Sequence, residues 1–221
     1  MAKRQPKSLK TVEVVAAALV AFRLHGNKVD RSPTPEGLAT NKEMVLSYFD
    51  GTVPAGLQKP LVISALDIRD AERIRNFINS KVTMDVLVDK PVNNFEADLA
   101  KTIEADEVFD YKVGMVVYAP KNYFEGTKAA DAQLAMAQMA VNSKFLGKPK
   151  DRVEFTFHLI DAKYCKNLDC YRHVGHDDDG NLVAFFNKNA FPDNVRVKAR
   201  VKANDTKDGN STYLHFVKVI A

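Results

Sequence analysis

The chain has 221 residues, 46% hydrophobic and 27% charged, without tryptophan; this is enough apolar material for one large domain or two small ones, and it excludes a low-complexity or disordered composition. A formal charge of +4 permits an anionic partner without requiring one, so where the charges sit matters more than their sum. Two cysteines do not make a disulfide framework and fit a reducing compartment, which makes the cytoplasm the expected location.

Near the N-terminus, Lys3, Arg4, Lys7 and Lys10 precede an apolar run from Val12 to Phe22 that superficially resembles a secretory leader. Glu13 interrupts the run and no small-residue cleavage pattern follows it. Val12, Val15, Leu19 and Phe22 fall at helical spacing, so the reading is a helix from Ser8 to about His25, capped by Ser8 or Thr11 and stopped by Gly26-Asn27. The prolines of Ser32-Pro33-Thr34-Pro35-Glu36-Gly37 make a loop. Asn41 to Phe49 reads as a short helix ending near Gly51, and Ala65 to Lys81 as an amphipathic one through Leu66, Ile68, Ala71, Ile74, Phe77 and Ile78. Val82 to Val88 is either a strand or more helix. A further helix is expected from Asn93 to about Phe109 through Phe95, Leu99, Ile103 and Val108. Tyr111 to Ala119 has no assigned type, and Thr127 to Val141 is helical by propensity. No stretch reaches the roughly 20 apolar residues that span a bilayer, so no membrane partner is expected.

The texture changes after Gly147-Lys148-Pro149. Val153, Phe155, Phe157 and Leu159 alternate on one face; a turn at Asp179-Gly180 leads into Leu182 to Asn187; a turn from Asp205 to Asn210 precedes Tyr213 to Ile220. Between them, Val195, Val197, Ala199 and Val201 alternate with Arg196, Lys198, Arg200 and Lys202, which in a strand sends one set to a core and leaves one row of cations outside. The fold class is therefore α+β: a mainly helical region, 1–142, of unassigned role, and a small antiparallel OB-like β-barrel, 143–221. From Lys150 onward 12 Lys and Arg face 10 Asp and Glu, so the barrel has little net charge.

Ser143-Lys144-Phe145-Leu146-Gly147, Arg152-Val153-Glu154-Phe155, Asp179-Gly180-Asn181, Val201-Lys202 and Thr212-Tyr213-Leu214 together resemble the OB-fold nucleic-acid-binding domain carried by many bacteriophage DNA-metabolism proteins. That family has a Ser-x-Phe-x-Gly lead-in to the first strand, an Asp-x-x-Gly-Asn-like turn between middle strands and a Val-Lys pair closing the fourth. Where many relatives carry a histidine soon after that pair, this chain has Asn204, and Pro149 or Lys150 stands where a lead-in glycine is common. The resemblance covers residues 143–221 and implies a noncatalytic single-stranded DNA-binding role in phage replication, recombination or transcription, in the host cytoplasm, with another phage or host replication or transcription protein as a further partner.

Single-strand binding needs cations for phosphates and exposed rings for bases. The candidate cations are Arg172, Lys188, Arg196, Lys198, Arg200 and Lys202, and the candidate stacking residues Tyr164, Tyr171, Phe185 and Tyr213. The competing reading of the basic row is a solvated strand face guarded against edge-to-edge aggregation. A competing function is an interaction or assembly factor using the barrel as a scaffold.

Cys165, Cys170, His173 and His176 have zinc-ligand chemistry, but strand alternation places Cys170 and His176 on one face and His173 on the other, which splits the set. Asp177-Asp178-Asp179-Gly180-Asn181 fails as a calcium loop, with Leu182 where the glycine belongs and Lys188 where the bidentate glutamate belongs. A metal-dependent enzyme built on these groups is thus the third reading, behind a chain with no catalytic residue, no metal and no cofactor.

Overall fold

The computed structural model describes residues 5–26, 37–206 and 210–220. The chain forms two compact units, Met1–Gly126 and Thr127–Ala221. The first is helical, with β1 (Ser8–Lys10), α1 (Thr11–His25), α2 (Asn41–Asp50), α3 (Ala65–Leu87), α4 (Asn94–Glu104), β2 (Glu107–Phe109), a 3-10 turn over Asp110–Lys112, α5 (Val113–Val116) and the start of α6 (Ala119–Ala140). The second holds the rest of α6 and five strands: β3 (Arg152–Cys165), β4 (Cys170–His176), β5 (Leu182–Asn187), β6 (Val195–Asp205) and β7 (Ser211–Val219).

In the helical unit α1 is the buried element, with Val14, Val15 and Leu19 out of contact with water. Local chemistry defines the starts of α2, α3 and α4. Thr40 and Glu43 form a reciprocal capping box on α2, Ser64 and Asp67 form another on α3, and Asn93 caps α4. Arg23 of α1 pairs with the Asp67 of that second box. Arg75 of α3 donates to the carbonyls of Ile103 (2.6 Å) and Glu104 (3.1 Å), satisfying acceptors that the end of α4 leaves open.

Two sequence expectations need correction. Ser8–Lys10 is a strand rather than the first turn of α1, and it pairs with β2 in the register Leu9↔Val108. Lys10, without a side-chain hydrogen bond, takes the cap position assigned to Ser8 or Thr11. The same pairing ends α4 at Glu104, so Val108 is buried from a strand. Val82–Leu87 continues α3, and most of Tyr111–Ala119 is helical. The loop expected at Ser32–Glu36 and the stop residue Asn27 lie outside the described residues, as does much of the turn at Asp205–Asn210.

The barrel closes in the order β3-β4-β5-β7-β6, antiparallel throughout except for the parallel β5-β7 pair. Its core contains Phe157, Val183, Phe185, Phe191, Val197, Ala199, Val201, Leu214 and Val217. His173 is buried among them with its ring 4.8 Å from Phe185 and nearly parallel to it; its Nε2 accepts the Phe191 N–H at 3.0 Å. Burial holds this imidazole below its ordinary pKa, so it is neutral, consistent with its role as an acceptor. Among the described residues no helix is long and apolar enough to cross a membrane.

Candidate nucleic-acid interface

The segment leading into the barrel is held by hydrogen bonds from several of the residues that carry the sequence resemblance. Ser143 is buried; its hydroxyl donates to the Asn210 carbonyl and accepts the Leu182 N–H at 2.8 Å, and its own carbonyl accepts from Asn210 Nδ2 at 3.1 Å. Leu146 N–H donates to the buried Thr212 hydroxyl at 3.1 Å, and Asn204 Nδ2 to the Gly147 carbonyl at 3.0 Å. In the β4-β5 turn, Asp177 Oδ1 accepts the N–H groups of Asp179 and Asn181, its Oδ2 accepts Asn181 Nδ2, and Asn181 Oδ1 accepts the Lys144 N–H at 2.8 Å. The lead-in is thereby clamped across the starts of β5 and β7, fixing the register of the only parallel pair in this barrel.

That register lays out the outer face of β3, β6 and β7 as rows. Arg152, Arg200 and His215 are cross-strand partners; Glu154, Lys198 and Lys218 form the next row; Thr156 pairs with Arg196, whose carbonyl accepts the Ile220 N–H. Arg152, Arg196, Lys198 and Lys218 are exposed and Arg200 is half-buried. Glu154 is the acid within this grid, 2.6 Å from Lys198, and the hydrogen bond from that ammonium holds its carboxyl below the usual range. At the edge of the grid beside Thr156, His158 Nε2 donates to Asp178 at 2.8 Å; that bond, and a second from Thr156, hold the Asp178 carboxyl below the usual range. Lys202 is exposed but sits at a bulge, opposite no single residue of β7.

A second bulge lies inside the grid. Between the pairs Lys198↔Lys218 and Arg200↔His215, β6 contributes Ala199 alone while β7 contributes Phe216 and Val217. Val217 turns into the core, whereas Phe216 is 71% exposed, at φ 54°, with its ring 4.4 Å from His215. The left-handed backbone disfavours a bulky residue by about 1–3 kcal/mol, and the exposed ring recovers little of that by burial.

The other sequence candidates fall elsewhere. Arg172 and Tyr213 line a cleft of about 650 Å³ together with Val174, Leu182 and Ala184 of the barrel's outer surface and Met136 and Ala137 of α6. Val174, Leu182 and Ala184 are buried despite pointing outward. Tyr164 and Tyr171 pack against each other, ring centroids 5.2 Å apart, at the end of the β3-β4 hairpin, where the Tyr164 hydroxyl donates to Asp169. Lys188 is exposed after β5. Phe185 corrects an expectation: at 1% exposure, stacked on His173 and edge-on to Phe157, it has no face left for a base.

Cys165 and Cys170 are register partners with free thiols at the hairpin end, His173 is in the core, and His176 stacks on His158 at 4.9 Å. Among the described residues no group of three His, Cys, Asp or Glu side chains converges as a metal site. Comparison with protein-family models, with curated proteins and with solved structures finds no match.

Proposed function

We propose that the chain is a noncatalytic single-stranded DNA-binding protein, a phage-type accessory of replication, recombination or transcription, whose OB-like barrel meets the strand across β3, β6 and β7. The observation that carries this reading is the grid of Arg152, Arg196, Lys198, Arg200 and Lys218 on one continuous sheet face, opposed within it by Glu154. Cations two residues apart on β6 stand about 6.7 Å from one another, an interval comparable to the phosphate spacing of an extended nucleotide chain. The strand order with its parallel pair is compatible with an OB-like barrel, and the hydrogen bonds made by Ser143, Asn181 and Thr212 give the resemblance motifs a physical purpose. OB barrels commonly bind on their second and third strands. Here the outward Val174, Leu182 and Ala184 of the corresponding β4 and β5 are buried, which favours the β3-β6-β7 face.

The test is the affinity of the full chain for a labelled thymidine oligonucleotide across a salt series. With about four phosphate contacts at about 0.7 each, log K falls against log salt with a slope of about −3. Glu154→Gln frees Lys198, steepens the slope by about 0.7 and raises affinity about fivefold near 0.1 M salt. Absence of binding at low salt, or a slope near zero, contradicts the proposal.

A further inference from the structure

The grid accounts for attraction to a polyanion but not for a choice between single strands and duplex. Phe216 supplies a basis for that choice. It is the extra residue of the β7 bulge, held in a left-handed conformation, exposed, and set between the Arg200–His215 and Lys198–Lys218 rows. A regular strand would have continued the alternation past Leu214 and His215; the bulge instead lets Val217 reach the core and places an aromatic ring among cations. Its neighbour His215 lies 4.4 Å away, tilted by 33°, which supports the ring from one side.

We infer that Phe216, backed by His215, is the base-stacking platform of the β3-β6-β7 face, so that this face accepts nucleotides whose bases are unpaired. The inference rests on the nucleic-acid reading proposed above and adds to it the residue that selects the ligand. Stacking on a ring needs a free base face, which a single strand offers and a duplex keeps within its own stack. Cations on either side of the ring then meet the phosphates flanking that base. Charge and one ring would also suit an anionic membrane surface, but membrane adsorption scales with buried apolar area, and the residues of the adjoining rows are Arg200, His215, Lys198 and Lys218 rather than apolar ones.

The experiment uses the full chain with a labelled thymidine oligonucleotide, a duplex of equal length, and vesicles containing phosphatidylserine. Phe216→Leu, which keeps an apolar side chain but removes the π face, lowers single-strand affinity about 5- to 150-fold; the salt slope and duplex affinity stay unchanged. Phe216→Trp retains or strengthens single-strand binding. Phe216→Leu binding the single strand as tightly as the wild type overturns the platform and leaves the cation grid standing, since wild-type binding is still present and salt-dependent. Equal losses on single strand and duplex, or a loss confined to vesicles, also overturn it. A wild type that binds no oligonucleotide at low salt overturns both the platform and the reading beneath it.

Discussion

Replacing Arg196, Lys198 and Arg200 together by alanine lowers affinity for a single-stranded oligonucleotide about 25-fold near 0.1 M salt and flattens the salt slope by about 1.4. The three side chains lie on successive outward positions of β6, and each faces an outward residue of β3: Thr156, Glu154 and Arg152. Losing the phosphate contacts of Arg196 and Arg200 removes about 0.7 each from the slope, and Glu154, without its Lys198 partner, adds repulsion. Since these positions point away from the core, the substitution leaves Val195, Val197, Ala199 and Val201 packed as they are, and the thermal midpoint shifts little. Glutamine at the same three positions keeps much of the aliphatic stem over the sheet and gives the same loss if charge is the cause. Oligonucleotide titrations of both variants check this; undiminished affinity in either one contradicts the assignment of the phosphate contacts to β6.

Gly175→Ala strongly destabilises the barrel. Gly175 lies on β4 opposite Leu159 and Val183, and a Cβ built there lies 2.1 Å from the His158 carbonyl oxygen and 2.4 Å from the Phe157 ring. Phe157 is a fully buried core side chain and the carbonyl belongs to the neighbouring strand, so neither neighbour has a cheap way to move. Overpacking of this kind costs about 3 kcal/mol or more, which lowers the midpoint of a unit of this size by about 12–24 °C. Gly114→Ala, where the added carbon meets the Lys42 stem at an ordinary 3.5 Å, serves as the control and leaves the midpoint nearly unchanged. Thermal denaturation followed by circular dichroism reads both. An unaltered Gly175→Ala midpoint contradicts the β3-β4 register and the place of Phe157 beneath it.

The legibility of this chain follows the strength of its alternation. β6 reads correctly from sequence because its two faces differ in kind: Val197, Ala199 and Val201 go inward and Arg196, Lys198 and Arg200 outward. β5 does not, because Leu182, Val183, Ala184 and Phe185 are all apolar and all buried; the outward pair is covered from outside the barrel, so alternation has no sign and Phe185 is easily taken for a surface ring. Tyr164 lies beyond the β3 irregularity at Leu159/Asp161, which shifts the phase of the rest of that strand, and Tyr171 is its register partner on β4. The bulge that exposes Phe216 leaves one trace in the sequence: Leu214 and Val217, both core residues, are three apart, a separation that period two does not allow without an extra residue. The three-residue strands β1 and β2 are too short to carry a period, and their pairing with each other redirects segments that look helical.

Amide hydrogen exchange of the full chain with and without a thymidine oligonucleotide measures most directly whether a single strand binds across β3, β6 and β7. Protection concentrated on Arg152–Thr156, Arg196–Arg200 and His215–Lys218 is the predicted result. Protection confined to β4 and β5, with these three segments unchanged, would contradict it.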